Sequence, residues 1–359
     1  MIGLILAGGI GSRFWPLSRR RRPKQLLDLL GGGSLVAATA RRIEPLCGAE
    51  RTWVCTTEAL AAAVAAELPG LDASRILGEP SGRNTAPAIG WAVRTMPEAA
   101  RREVIAVMPS DHWVADEDAF REALSRGAAA VERGDHDVVT VGIAPAWPET
   151  GYGYLELEAP AEPLSVARGA PGGVEPVLRF TEKPDAETAA RFKASGRHFW
   201  NAGIFLFRGT VLLDLYREHL PELAAGIERL AADDLGADRR REIYAGLESV
   251  SIDYGLMERL DSIGCVVADC GWNDIGSWGL LAEALPADGD GNRTVGDTFA
   301  VDARDNLLFA DEGAVAVIGV EGLAVVRTGD SVLVVPRERA QDVREVVERL
   351  VARGRLDLL

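Results

Sequence analysis

The stretch Leu4-Ile5-Leu6-Ala7-Gly8-Gly9-Ile10-Gly11-Ser12-Arg13 sets the expectation for the whole fold. The apolar run from Ile2 to Leu6 predicts a buried β-strand that opens without a spacer into a glycine-rich loop. Glycines let backbone N–H groups crowd around one point, and such a concavity binds phosphate. Arg13 and the downstream Lys24 add positive charge, so the loop is predicted to hold a polyphosphate. For the glycines alone, an ordinary tight turn remains the alternative.

Two commoner glycine-rich loops do not fit this stretch. A P-loop requires Gly-x-x-x-x-Gly-Lys followed by Ser or Thr, and no Lys-Ser or Lys-Thr follows a suitably spaced glycine pair. A dinucleotide fingerprint requires Gly-x-Gly-x-x-Gly, and Phe14 stands where its third glycine would be. The loop is therefore expected to bind phosphate in another structural context.

Composition excludes several classes of protein. The formal net charge of −15 over 359 residues disfavours nucleic acid as a partner, because duplex binding relies on a basic face. The four cysteines have no Cys-x-x-Cys spacing and no nearby histidine, which argues against zinc. The sequence begins with a strand rather than a leader and has no apolar run approaching ~20 residues, so a cytoplasmic protein without a membrane segment is expected.

A local basic run reverses the overall charge directly after the glycine loop. Arg19, Arg20, Arg21 and Arg22 precede Lys24 and would attract an anionic substrate against the acidic background. The alternative is a solvated loop that keeps the protein in solution.

Apolar runs then alternate with helix-like stretches, a pattern typical of βαβ units and a largely parallel sheet. The predicted strands are 52–55, 104–108 and 138–142, and the predicted helices are 58–67 and 117–133. In open α/β sheets, ligands bind beyond the carboxyl ends of strands. The glycine loop after Leu6 and the segment Pro109-Ser110-Asp111 after Met108 both occupy that position.

Two carboxylates stand out in this first part of the chain. Glu79 offers the acceptor that the N1–H and N2 amino edge of guanine requires. Asn84 follows shortly and is explained by capping alone, although a helix N-terminus facing the crevice also binds a base or ribose. Asp111 follows a buried strand directly, where a carboxylate favours a Mg²⁺ ion bound with phosphate oxygens. A helix cap is the alternative for Asp111.

The middle of the chain suggests a sugar-binding segment. Gly151-Tyr152-Gly153 suits close approach of backbone to a hydroxyl-rich ring, or else forms a turn into the strand 154–157. Glu182-Lys183 ends another strand, and it also fits a surface ion pair. Asn201 and Gly203 interrupt the apolar strand 199–207, where a buried amide needs partners. Farther on, a helix is predicted over 255–260.

The C-terminal part changes character again. Asp274 precedes a helix expected to begin near Ser277, and a polar linker follows at 286–292. Short apolar runs at 299–301, 306–309, 315–320, 324–326 and 332–335 predict a small β-rich domain, closed by a helix over roughly 338–353. The predicted domains are 1–283 and 284–359.

The glycine loop with Pro23-Lys24-Gln25 resembles the signature of the sugar-phosphate nucleotidyltransferases. Phe14-Trp15-Pro16-Leu17-Ser18 narrows the resemblance to the mannose-1-phosphate guanylyltransferases. It covers roughly the first 280 residues, because later segments resemble further family motifs, the last being Gly271 to Trp278. The resemblance implies an α/β fold with a Rossmann-like mixed, largely parallel sheet flanked by helices, the nucleotide-diphospho-sugar transferase fold. It also implies a short left-handed β-helix used in subunit contacts, although 284–359 shows no strict hexapeptide period.

The resemblance assigns roles to individual residues. The implied catalytic residues are Arg13, Lys24, Asp111, Lys183 and Asp274, with Mg²⁺ on Asp111 and Asp274. The implied nucleotide-binding residues are Leu6, Ala7, Gly8, Gly9, Gly11, Ser12, Arg13, Lys24, Glu79, Asn84, Thr85, Pro109, Ser110 and Asp111. The implied sugar-phosphate-binding residues are Gly151, Tyr152, Gly153, Glu182, Lys183, Asn201, Gly203 and Asp253.

The implied reaction is GMP transfer from GTP to mannose 1-phosphate, which yields GDP-mannose and pyrophosphate. The implied assembly is a homodimer. A relative that uses another nucleoside triphosphate or another sugar 1-phosphate remains an alternative within this class. A non-catalytic nucleotide-sugar sensor is the alternative from a different class, and the presence of every implied charged residue disfavours it.

Overall fold

The computed structural model describes residues 1–9, 11–158, 173–232 and 235–359, so Ile10 of the glycine loop lies outside the described residues. The chain divides into two compact units, each assembled from separate segments. Unit 1 comprises 1–8, 39–110 and 114–272, and unit 2 comprises 9–38, 111–113 and 273–359. The domain division predicted at residue 283 stays a prediction.

The strands are β1 Ile2–Leu6, β2 Thr52–Thr57, β3 Ile76–Glu79, β4 Val104–Pro109, β5 Trp113–Val114, β6 Val138–Ile143, β7 Tyr154–Leu157, β8 Glu175–Thr181, β9 His198–Arg208, β10 Ile263–Ala268, β11 Trp272–Asn273, β12 Arg293–Val301, β13 Leu307–Ile318, β14 Leu323–Arg327 and β15 Val332–Pro336. The α-helices are α1 Leu35–Cys47, α2 Glu58–Glu67, α3 Thr85–Thr95, α4 Glu98–Arg101, α5 Glu117–Arg133, α6 Ala186–Ser195, α7 Gly209–His219, α8 Pro221–Leu230, α9 Ala237–Ala245, α10 Ile252–Gly255, α11 Trp278–Ala284 and α12 Val343–Ala352. The 3-10 helices are Ser12–Phe14, Lys24–Leu26, Ala49–Arg51, Ala73–Arg75, Met257–Arg259, Arg337–Asp342 and Leu356–Leu358.

Unit 1 is built on a mixed sheet. Among the described residues, nine strands pair in the order β3-β2-β1-β4-β9-β6-β10-β8-β7. The strands β3, β2, β1 and β4 run parallel, whereas β9 runs antiparallel to both β4 and β6. Leu6 is in register with Pro109, and Ser110 N donates to Leu6 O over 3.0 Å. The carboxyl ends of β1 and β4 therefore lie side by side, as their sequences predicted.

Local sequence explains why the predicted helices form. The helices predicted at 58–67 and 117–133 are confirmed as α2 and α5 with the same bounds. The Asp116 side chain caps α5 by accepting from Ala119 N over 3.0 Å, and Gly134, at a φ of 78°, ends the helix. The face of α5 that carries Phe120 and Leu124 is buried, as expected for an amphipathic helix.

Unit 2 has its own core under a second sheet. The strands β12, β13 and β14 pair in parallel, and β15 adds antiparallel to β14. The Trp278 ring packs against Phe14 and Phe309 with centroid separations of 5.0 and 5.3 Å, and all three side chains are buried. Trp278 Nε1 donates to Trp15 O over 3.0 Å. This packing fixes the chain that carries Arg13.

Three predictions from residue 251 onwards were wrong in detail. The helix expected over 255–260 begins earlier, at Ile252, because the Ser251 side chain caps it, and a 3-10 helix follows at Met257–Arg259. The runs 306–309 and 315–320 belong to one strand, β13, in which Gly313 adopts a φ of 66°. The final helix begins only at Val343, after a 3-10 helix. No helix in the described parts of the chain is long and apolar enough to cross a membrane.

Candidate functional site

A cavity of about 300 Å³ in unit 2 collects most of the charged residues implied for catalysis. Its lining residues are Gly11, Ser12, Arg13, Phe14, Lys24, Asp111, His112, Asp274, Gly276 and Arg344. Residues distant in sequence therefore meet in one place, and both predicted metal-binding carboxylates are among them. Three positively charged side chains face the same space, which suits an anionic ligand.

Lys24 is the central side chain of this cavity. It is only 5% exposed, and its Nζ donates to Asp111 Oδ2 over 2.8 Å and to the main-chain oxygen of Asp274 over 2.7 Å. A buried ammonium group is costly unless oxygen acceptors surround it. Lys24 therefore ties the Asp111 and Asp274 segments together while it holds its charge at the cavity wall.

The glycine loop is shaped around Lys24. Gly11 adopts a φ of 63°, and a Cβ added there would lie 2.5 Å from Cβ of Lys24. A side chain at this position would be strained and would displace the lysine stem. Gly11 also begins the 3-10 helix Ser12–Phe14, so the same residue directs Arg13 into the cavity lining. The requirement for glycine here is therefore conformational and steric.

Asp111 and Asp274 have the chemistry of a Mg²⁺ site. Burial alone would raise the pKa of the Asp111 carboxyl, but the Lys24 ammonium and then His112 hold it below its usual value. An ionised carboxylate is thus kept at the cavity, with a third of its side-chain surface exposed (34%). The described residues contain no group of three or more His, Cys, Asp or Glu arranged for a metal. Mg²⁺ commonly takes one or two protein carboxylates and completes its shell with phosphate and water, so the two aspartates fit it.

In unit 1, Glu79 ends β3 at the same sheet edge as the end of β1. Its side chain is 5% exposed and accepts a hydrogen bond from the hydroxyl of Tyr244 on α9. A Cβ added at Gly8 would lie 4.0 Å from Oε1 of Glu79, so the carboxyl group lies beside the start of the glycine loop. Burial raises the pKa of Glu79 to about 7, although the Tyr244 hydrogen bond opposes that shift. With this pKa, Glu79 exists near neutral pH both as a protonated carboxyl group, which can donate a hydrogen bond, and as a carboxylate, which only accepts.

This raised pKa makes the stability of the protein depend on pH. At a pH below 4.5, the usual pKa of a glutamate side chain, Glu79 is neutral in both the folded and the unfolded state. As pH rises towards 7, the unfolded state releases its proton first, so Glu79 lowers the free energy of unfolding by up to about 3 kcal/mol. We expect Glu79→Gln to reduce the decline in the free energy of unfolding between pH 4.5 and 7.5 by about this amount, as measured by urea unfolding. The exposed Glu67→Gln is the matched control, and an unchanged decline in the Glu79 variant would contradict the assignment.

The N-terminus of α3 is engaged in structure. Asn84 caps it, with Oδ1 accepting from Thr85 N over 2.9 Å. Thr85 Oγ1 accepts from Ile252 N over 2.8 Å, and Ala86 N donates to Val250 O over 3.1 Å. These contacts attach α3 to the segment that leads to Asp253. The capping explanation for Asn84 thus holds, and its role in nucleotide binding stays a prediction.

Asn201 organises the predicted sugar-binding group, which also lies in unit 1. Its Oδ1 accepts from Thr140 Oγ1 over 3.0 Å and from Gly203 N over 3.1 Å, and its Nδ2 donates to Asp253 Oδ1 over 3.0 Å. Its backbone N donates to Gly153 O over 2.8 Å. The buried amide therefore has the partners that its place in an apolar strand requires. The side-chain amide nitrogen of Asn201 orients Asp253, while its side-chain oxygen already accepts two hydrogen bonds.

Glu182 and Lys183 join the same group. Lys183 Nζ donates to Glu182 Oε1 over 2.7 Å, and Lys183 is 55% exposed while Glu182 is 9% exposed. Burial alone would lower the pKa of Lys183, but Glu182 raises it above its usual value. Burial, reinforced by Glu182, raises the pKa of Asp253 to about 6. A Cβ at Gly153 would lie 2.5 Å from Glu182 Oε2, so the glycine makes room for that carboxylate.

Two known sequence families match this chain. A sequence family described as nucleotidyl transferase matches residues 2–291. The chain belongs to the nucleotidyl transferase family. A second family, described as MannoseP isomerase/GMP-like beta-helix domain, matches residues 296–350. The resemblance inferred from the glycine loop and the β-rich C-terminal part is thereby confirmed.

Individual relatives of this nucleotidyl transferase cover almost the whole chain. The mannose-1-phosphate guanylyltransferase of Escherichia coli strain K12 is 38% identical, over 98% of this chain and 74% of its own length. The alginate biosynthesis protein AlgA of Pseudomonas aeruginosa is 36% identical, over 99% of this chain and 73% of its own length. The crystal structure of a mannose-1-phosphate geranyltransferase from Thermus thermophilus has a TM-score of 0.86 and 40% identity, and covers 97% of this chain and 98% of that one.

Some residues of this nucleotidyl transferase site were not expected from sequence. Arg344 lines the Lys24 cavity from α12. In the sequence, Arg344 with Glu348 four residues later is typical of an ion pair on an exposed helix surface, so nothing marked it as a cavity residue. Tyr244 holds Glu79 but lies in a highly charged helix. Thr140 holds Asn201 but has the sequence context of an ordinary strand residue. Conversely, Arg19 to Arg22 are not among the residues that line the Lys24 cavity. Their predicted role in attracting a substrate to that cavity therefore stays a prediction.

Proposed function

We propose that this protein transfers GMP from GTP to α-D-mannose 1-phosphate, giving GDP-mannose and pyrophosphate. The observation that carries the proposal is the convergence of Arg13, Lys24, Asp111 and Asp274 on one cavity that the glycine loop also lines. This set offers positive charge for a triphosphate and carboxylates for a divalent cation. The relatives named as mannose-1-phosphate guanylyltransferases support the choice of GTP and mannose 1-phosphate.

The proposed chemistry is an in-line displacement at the α-phosphorus of GTP. A phosphate oxygen of mannose 1-phosphate forms the new P–O bond, and the bond to the β-phosphate breaks to release pyrophosphate. The attacking group is already ionised, so the chain supplies alignment and charge rather than a nucleophile. Arg13 and Lys24 hold the triphosphate. Mg²⁺, when bound by Asp111 and Asp274, neutralises phosphate charge.

Lys183 is proposed to hold the sugar phosphate, because its side chain is more than half exposed while its ammonium is oriented by the hydrogen bond to Glu182. Glu182 and Asp253 are then proposed to accept hydrogen bonds from the sugar hydroxyls, while Asn201 holds Asp253 in place. Glu79 is proposed to accept from the guanine edge in its ionised form, so guanine binding would strengthen as pH rises through about 7.

Gly153→Ala tests the sugar assignment. The added methyl group would displace the Glu182 carboxylate, the far end of a flexible side chain, and would also lie 3.3 Å from Cζ of Phe180, so thermal unfolding is measured alongside the kinetics. We expect KM for mannose 1-phosphate to rise about 10-fold with little change in KM for GTP, because the lost contact is one charge-assisted hydrogen bond. Steady-state kinetics with each substrate varied measure this split. Gly70→Ala, in an exposed turn where an added Cβ would meet nothing within 4 Å, is the control; equal changes in both KM values would count against the assignment.

The reaction itself is tested by a substrate panel. GTP, ATP, UTP and dTTP are each combined with mannose, glucose and galactose 1-phosphates in the presence of Mg²⁺, and pyrophosphate release is measured. The proposal expects the fastest release with GTP and mannose 1-phosphate. Faster release with another pair would identify a relative with different selectivity. No release from any pair, with binding retained, would favour a nucleotide-sugar sensor.

Assembly as a homodimer is part of the proposal and is supported by an apolar strip on the second sheet. Val301 is in register with Ile318, and these side chains are 52% and 73% exposed, with Phe299 at 57% beside them. Such a strip is unfavourable in water and suits a second copy of the chain. We expect sedimentation to give a dimer for the native protein and mostly monomer for Ile318→Asp. If Ile318→Asp forms a dimer as stable as that of the native protein, the subunit contact does not involve this strip. A cytoplasmic location also remains a prediction.

A further inference from the structure

Unit 2 contains a second cavity, of about 690 Å³, that shares no lining residue with the Lys24 cavity. Arg19, Arg20, Arg21 and Arg22 all line it, together with Asp311 and Thr328. Its size is within the usual range of small-molecule sites, roughly 300–1,000 Å³. The arginine run that the sequence singled out therefore belongs to a separate concave surface.

The arginine loop is held in place. Arg19 and Arg22 exchange two backbone hydrogen bonds of 3.0 Å, which leave Arg20 and Arg21 at the tip of a tight turn. Arg19 anchors the turn, because its Nε donates to Pro16 O over 2.6 Å and its guanidinium pairs with Asp330 over 2.5 Å. A fixed loop loses less conformational entropy when it binds a ligand.

The remaining guanidinium groups lack counterions. Arg20, Arg21 and Arg22 are exposed, and within the described ranges no side-chain ion pair is found for them. Exposed arginines elsewhere, such as Arg102 and Arg239, pair with neighbouring carboxylates. Although the chain has 54 acidic and 39 basic residues, these three consecutive arginines form a local excess of positive charge. Two acidic lining residues are already engaged, Asp330 with Arg19 and Asp357 with Arg355.

We propose that this cavity is an accessory site for a diphosphate-bearing ligand, distinct from the Lys24 cavity. Several guanidinium groups on one concave wall match the paired charges and multiple acceptor oxygens of a diphosphate. Asp311 lines the cavity and can accept hydrogen bonds from ribose hydroxyl groups, and the exposed Leu356 offers apolar surface for the remainder of a nucleotide. The shared chemistry is the diphosphate group, supplied by a nucleoside diphosphate or by free pyrophosphate. The inference does not depend on the reaction proposed above.

The test compares binding stoichiometry, measured by isothermal titration with GDP in the presence of EDTA. The combined variant Arg20→Gln, Arg21→Gln and Arg22→Gln is expected to bind one molar equivalent fewer than the native chain, or to bind that equivalent at least about 10-fold more weakly. The charge-matched control is Arg339→Gln, Arg349→Gln and Arg353→Gln, which should retain native binding. Because the readout is a difference between variants, it holds whether or not the Lys24 cavity binds GDP.

Pyrophosphate is titrated in a second arm. Loss of an equivalent for both ligands shows that the diphosphate alone is recognised, and loss for GDP only shows that the nucleoside contributes; both support the site. Unchanged stoichiometry and affinity for both ligands would overturn it. If the variant unfolds, phenylglyoxal modification of the native protein replaces it, and GDP must then protect the peptide containing Arg20 to Arg22. Equal modification with and without GDP would also overturn the site.

Discussion

Lys24→Met is expected to lower kcat/KM by about 10²- to 10³-fold, the typical loss when one preorganised charge donor is removed. Methionine keeps most of the buried stem, but the contacts to Asp111 Oδ2 and Asp274 O are lost. Two oxygens then face the cavity without their cation. We therefore expect the melting temperature to fall only modestly, whereas turnover collapses. Steady-state kinetics and thermal unfolding on the same preparation separate the two effects.

Two further substitutions sharpen the Lys24 test. Lys193→Met removes an exposed lysine from α6 and should leave kinetics unchanged. Lys24→Arg keeps the charge, but its planar fork does not fit the single position between two oxygens, so it should recover only part of the activity. Near-normal turnover in Lys24→Met would remove this residue from the chemistry and leave it a purely structural role.

Asp111→Asn is expected to lower kcat/KM by at least about 10²-fold. Even the mutation of a residue that only hydrogen-bonds to a metal ligand commonly lowers metal affinity or activity by about 10- to 100-fold. The substitution preserves shape but removes the charge that both Lys24 and a divalent cation require. The Mg²⁺ concentration for half-maximal rate should rise, and Mn²⁺ binding measured by electron paramagnetic resonance should weaken in parallel. Asp297→Asn, on the exposed surface of β12, serves as the control.

A double-mutant cycle joins these two predictions. Because Lys24 and Asp111 contact each other, the combined variant should lose much less activity than the product of the two single losses. Independent, multiplicative losses would show that the ion pair has no part in the proposed reaction. Unchanged Mn²⁺ binding in Asp111→Asn would assign the metal to other groups.

The fold was largely accessible from sequence because its elements are locally determined. The alternation of buried strands with capped helices was enough to predict α2 and α5 with their observed bounds. Prediction failed where tertiary contacts decide the structure. Residues 310–314 have the composition of a turn, yet they lie within β13. The pairing with β12 shifts register there, from Val295 with Phe309 to Asp297 with Ala314, and Gly313 adopts a φ of 66°.

The site was only partly accessible. Arg13, Lys24, Asp111 and Asp274 were chosen by chemistry and by a family resemblance, and the structure brings them to one cavity. Tyr244 could not be found in this way, because nothing in its helix marks a partner for Glu79. Sequence patterns also could not separate Arg22 from Lys24. Only Pro23 lies between them, yet they line different cavities.

The segmented composition of unit 2 has a consequence for biosynthesis. Phe14 and Trp15 leave the ribosome long before their partners, which include Trp278 and the main-chain oxygen of Leu358. The sheet strands β1 to β4 have their pairing partners much earlier in translation. Contacts of such high sequence separation form late and slowly. The glycine loop next to Phe14 and Trp15 therefore acquires its folded shape only after the segment around Trp278 has been synthesised.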